Sequence, residues 1–114
     1  MVKALSNLQE FKEVLNKCEI NRLILIFYTA SWCGPCKFIY PLIEKLVVRA
    51  PHISIYKVDV DNDGDEESEK ISIVNGIESM PTFHFYKNGE LVDKLSGANK
   101  IELLKKVKIH SIII

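Results

Sequence analysis

Two cysteines separated by two residues carry the chemistry of this sequence. They stand in Trp32-Cys33-Gly34-Pro35-Cys36-Lys37, after an apolar run and before apolar residues at helical spacing. Cys33 therefore falls at a strand-to-helix junction and Cys36 in the first helical turn. A thiolate, not a thiol, attacks a disulfide, and the unpaired amides and positive dipole end of a helix N-terminus stabilise that anion at Cys33. Cys36, one turn further in, is within reach to resolve a mixed disulfide. Gly34 lets the backbone turn tightly, and Pro35 supplies a preset φ where no amide is needed, so the two sulfurs can be held at bonding distance. The expected chemistry is reversible dithiol–disulfide exchange.

Other uses of these residue types fit less well. Zinc needs about four ligands. Beyond the pair this chain offers only Cys18 and the scattered His52, His84 and His110, so no metal site is expected. A purely structural disulfide across so short a loop removes little unfolded-state entropy. Asp59-Val60-Asp61-Asn62-Asp63-Gly64 matches the opening of a calcium loop, but Lys70 stands where the bidentate Glu belongs. Seven of the fifteen acids lie between Asp59 and Glu69, which suits a solvated strand end and a helix N-terminus.

The elements that must position the cysteines are legible around them. Leu23 to Thr29 opens with six consecutive apolar residues, the pattern of a strand buried on both faces. Ile39, Leu42, Ile43, Leu46 and Val47 mark the following helix, inside which Pro41 removes one donor and should kink it. Upstream, Ser6 with Gln9 or Asn7 with Glu10 can cap a first helix whose apolar stripe is Leu8, Phe11, Leu15 and Cys18. Cys18 is accordingly expected as a small buried side chain. Downstream come a strand, Ile53 to Val60, and a helix, Glu66 to Val74. Thr82 to Tyr86 and Glu90 to Leu95 flank Asn88-Gly89, a strong two-residue hairpin signal. Asn99 with Glu102 caps a last helix carrying Ile101, Leu104 and Val107. This alternation is an α/β sandwich with a mixed sheet.

Composition agrees. The chain has 114 residues, 47% apolar, and zero formal net charge. That is one domain with enough apolar side chains for a core, and nothing in its charge favours nucleic acid or an anionic membrane. Met1 to Phe11 does not read as a signal or transit peptide, and no apolar stretch reaches membrane-spanning length. A reducing, cytoplasmic location is expected.

Beyond the cysteine motif, Val58-Asp59-Val60-Asp61, Met80-Pro81-Thr82-Phe83, Tyr86-Lys87-Asn88-Gly89 and Gly97-Ala98-Asn99 follow in order. On these residues nearly the whole chain resembles the thioredoxins. The resemblance implies a single thioredoxin domain over residues 1–114, with a central mixed sheet of four to five strands flanked by about four helices. It further implies Cys33 as nucleophile and Cys36 as resolving thiol, supported by Trp32, Gly34, Pro35 and Lys37. Pro81 would be a cis-proline facing them, although an ordinary strand-opening proline is the commoner reading of the residue alone. Trp32, Met80, Gly97 and Ala98 would form an apolar rim for protein substrates. No cofactor is expected beyond a redox-active Cys33–Cys36 disulfide. The implied protein is a monomer that reduces protein disulfides, takes electrons from an NADPH-dependent thioredoxin reductase and so serves electron transport and cell redox homeostasis.

Phe27 departs from the family, which usually carries a buried Asp six residues before the first motif cysteine to help deprotonate the second. A phenylalanine moves no proton, so a slower resolving step and a more stable oxidised fold are expected. Lys57 would have lost that partner, with Asp59 one pleat away. The ending Ile109-His110-Ser111-Ile112-Ile113-Ile114 is also unusual. These departures keep two other readings open: a thioredoxin-fold adaptor, and a dedicated electron donor to one partner such as a peroxidase.

Overall fold

The computed structural model describes residues 2–61 and 66–111. Asn62, Asp63 and Gly64 of the calcium-loop-like run and the terminal Ile112 to Ile114 lie outside them. Within the described residues the elements are β1 (Lys3–Ala4), α1 (Leu8–Asn16), β2 (Ile24–Thr29), α2 (Gly34–Arg49), β3 (Ser54–Asp59), α3 (Glu66–Val74), β4 (Thr82–Lys87), β5 (Glu90–Ser96) and α4 (Lys100–His110).

The uninterrupted apolar run became the centre of the sheet. No residue from Ile24 to Tyr28 is more than 1% exposed, because β2 is covered on both faces and paired on both edges. It runs parallel to β3, from Ile24↔Ser54 to Thr29↔Asp59, and antiparallel to β4, from Ile24↔Tyr86 to Tyr28↔Thr82. The order across the sheet is β1-β3-β2-β4-β5. Alternation along β2 divides the core in two. Leu25 and Phe27 pack with Ile39, Ile43, Phe83 and Leu103 on the side of α2 and α4. Ile24, Ile26 and Tyr28 pack with Phe11, Leu15 and Ile71 on the side of α1 and α3. β1, two residues beside β3, is too short to leave any periodic signal and was not expected as a strand.

Caps and turns follow the local sequence closely. Of the two possible first caps, Asn7 is used, its side chain accepting from Glu10 N at 2.9 Å. Asn99 does the same for Glu102 N at 3.0 Å. Asn88 and Gly89 both take positive φ, 54° and 80°, as a two-residue hairpin requires. Pro41 stands inside α2.

Two expectations about helix faces are corrected. Of the expected stripe on α4, Val107 is buried but Ile101 and Leu104 are not. Leu103 and Val107 are buried, whereas Ile101 is 68% and Leu104 44% exposed. Two overlapping apolar stripes share Val107, and docking under Phe85 selected the one that also brings His110 against that ring, at 5.9 Å. Cys18, in turn, is not on α1, which ends at Asn16 with Lys17 as its C-cap. It is only half-buried, and its thiol donates to Leu15 O at 3.3 Å.

Candidate functional site

The end of β2 delivers Cys33 to the start of α2. Cys33 is the N-cap residue, with extended backbone (φ −88°, ψ 104°), and Gly34 and Pro35 open the helix. Its sulfur accepts from Cys36 N at 3.1 Å, which satisfies one of the helix's orphan donors. Pro35 lacks an N–H at a position where helices have none to pair. The two sulfurs are bonded to each other, with Cα atoms 5.3 Å apart. Both cysteines are buried, Cys33 to 3% and Cys36 to 1% exposure. When the bond is reduced, the same amide and the helix dipole face any charge on Cys33.

Three loops hold the surroundings. The Met80–Pro81 peptide bond is cis, and Pro81 O accepts from Gly97 N at 2.9 Å, so the Pro81 and Gly97 loops are tied together. Gly97 has φ 93°, a conformation that disfavours other residues. Met80 and Ala98 pack against the core cluster that contains both cysteines. Trp32, by contrast, is 68% exposed. Lys37 is exposed and borders a cleft of about 300 Å³ that also reaches Cys36, Tyr40, Lys57 and Asp59.

One positioning residue was missed in the sequence. Asp61 accepts from Ser31 N at 3.0 Å and from Ser31 Oγ at 2.6 Å, anchoring the segment that leads into Trp32 and Cys33. The Ser31 hydroxyl, followed by its N–H, holds the Asp61 carboxyl below its usual range. The signal lay only in the match of an acid just past β3 with a hydroxyl just past β2, two strands that pair in parallel.

Phe27 shares the core cluster of both cysteines, fully buried and stacked on Phe83 at 5.1 Å between centroids. Tyr40 completes the cluster at 6.2 Å. Lys57 pairs with Asp59 at 3.5 Å, one pleat along the strand as expected, and its ammonium lies 5.7 Å from the Tyr40 ring centroid. Among the described residues no cluster of three potential metal ligands occurs, and no helix is long and apolar enough to cross a membrane.

Residues 2–109 match the family model described as Thioredoxin. A thioredoxin H-type of Fagopyrum esculentum is 40% identical over 111 residues, covering 96% of this chain and 91% of that protein. A thioredoxin of Ophiophagus hannah is 39% identical over 108 residues, with 95% and 97% covered. Among solved structures, Fasciola hepatica thioredoxin superposes with a TM-score of 0.86 at 33% identity, covering 96% of this chain and 99% of that one.

Proposed function

The chain belongs to the thioredoxin family and is a thiol-disulfide oxidoreductase, and we propose that it reduces protein disulfides with Cys33 as attacking thiol and Cys36 as resolving thiol. The observation that carries this assignment of roles is the position of Cys33 as N-cap, with Cys36 N–H on its sulfur. Cys33 thiolate attacks one sulfur of the substrate disulfide, and the other substrate sulfur leaves as a thiolate and takes a proton. Cys36, deprotonated, then attacks Cys33; the mixed disulfide breaks and the second substrate thiol departs. The substrate gains two electrons and two protons, and the protein is left with the Cys33–Cys36 bond. That disulfide is its redox group, with no bound cofactor.

Regeneration falls to an NADPH-dependent thioredoxin reductase, which places the protein in electron transport and cell redox homeostasis. Residues 1–114 act as one thioredoxin domain, as a monomer in the cytoplasm; gel filtration and imaging of the tagged full chain test these two assignments. The cis-Pro81 loop, Trp32, Met80, Gly97 and Ala98 receive the substrate backbone and flanking side chains. Insulin reduction driven by dithiothreitol tests the roles. Cys33→Ser should fall to the rate of dithiothreitol alone, and Cys36→Ser should accumulate a mixed disulfide detectable by mass spectrometry. A Cys33→Ser protein with wild-type turnover would overturn the assignment.

A further inference from the structure

Beyond the Gly97 loop lies a second cleft, of about 630 Å³, between the second turn of α2 and the first of α4, lined by Phe38, Gly97, Ala98, Asn99, Lys100 and Ile101. Its walls are unlike an ordinary solvated surface. Phe38 is 59% and Ile101 68% exposed, and they line one cleft from two different helices, so they are not isolated surface side chains. Lys100 Nζ stands 4.3 Å from the centroid of the Phe38 ring, so the cation is held at the apolar wall. Among the described residues Lys100 takes part in no ion pair. The neighbouring acid, Glu102, is directed to Lys105 on its own helix, at 3.7 Å.

The floor is fixed. Asn99 is committed to capping α4, and Gly97 is bound to Pro81. The cleft is continuous with the rim through Gly97 and Ala98, so a polypeptide bringing its disulfide to Cys33 has it as the next surface on that side. An apolar side chain would cover Phe38 and Ile101, and a carboxylate would find the Lys100 ammonium, which pairs with no acid among the described residues.

We propose that this cleft is an outer substrate subsite that takes an apolar side chain together with an acidic one from the segment flanking the target cysteine of a partner protein. The proposal rests on Cys33 as attacking thiol. A partner whose flank carries Leu with Glu is therefore preferred over one carrying Leu with Lys.

The test uses synthetic peptide disulfides carrying Leu-Glu, Leu-Lys or Ser-Glu beside the cysteine, placed before or after it, with 2-hydroxyethyl disulfide as a substrate too small to reach the cleft. For the wild-type chain, kcat/KM for Leu-Glu should exceed that for Leu-Lys by about fivefold at low salt, in at least one placement. High salt should erase the difference. Lys100→Glu should invert the order, and Phe38→Ser should bring Leu-Glu down to Ser-Glu. Equal rates for all peptides, with the small disulfide still turned over, would overturn the subsite and leave the role of Cys33 intact. Loss of turnover on every substrate would overturn both. Self-association abolished by Phe38→Ser, without peptide preference, would assign the cleft to a second copy and overturn the proposal.

Discussion

Phe27 belongs to the core cluster that contains both cysteines. Its ring lies in a fully buried aromatic stack with Phe83, a site where an unpaired carboxylate would be costly. Phe27→Asp should accelerate release of substrate from the mixed disulfide, read in single-turnover kinetics. It should also lower stability by roughly 3 to 5 kcal/mol, read from denaturant midpoints, because it removes the ring and buries a polar group. Tyr28 and His84, on the opposite face of the sheet, pose a different problem. Tyr28 Oη and His84 Nδ1 are buried without hydrogen-bond partners among the described residues. Tyr28→Phe should therefore be neutral or stabilising by up to about 1 kcal/mol in thermal unfolding. Burial, aided by Lys94, pushes the His84 imidazole down to about 4. The folded chain thus keeps it neutral where the unfolded chain protonates near 6.5. Stability is full above that pH and falls as pH drops from about 6.5 to about 4, by roughly 3 kcal/mol in all. His84→Phe should flatten that part of the stability profile.

At the scale of elements, local signals and packing choices separate cleanly. The hairpin turn at Asn88-Gly89 and the caps at Asn7 and Asn99 were legible because each depends on a few adjacent residues. Gly89 has φ 80°, and an added Cβ would approach nothing closer than Leu15 O at 3.9 Å. Gly89→Ala should accordingly cost about 1 kcal/mol from backbone conformation alone, measured as a shift in thermal midpoint. What the turn sequence did not reveal is its tether. Asn21 N donates to Asn88 Oδ1 at 2.8 Å, and Asn88 Nδ2 donates to Asn21 Oδ1 at 3.0 Å. The buried face of α4 was likewise illegible, since both of its apolar stripes satisfy helical periodicity. Docking, not periodicity, chose Leu103 over Leu104.

For the whole molecule, the edge strand β5 is fastened to the end of α4 by one acid. Asp93 receives Lys106 Nζ at 2.9 Å and His110 Nε2 at 2.8 Å. Burial raises its carboxyl, but the hydrogen bonds from His110, Lys106 and the Lys94 backbone outweigh burial and hold it at about 2. Its contribution is complete above pH 3.8 and is lost as pH falls toward 2. Asp93→Asn should remove this lowest limb of acid unfolding, followed by circular dichroism, and leave the His84 limb in place. The sequence by itself determined the dithiol chemistry, the order of strands and helices after β1 and the burial of β2 on both faces. Those features are written in neighbouring residues and short periodicities. The tertiary structure alone decided which stripe of α4 is buried, that Asp61 anchors Ser31, that Lys100 lies on Phe38 and that Asp93 ties β5 to α4. Each joins residues far apart in the chain, and their meeting depends on how whole elements pack, which no local pattern encodes.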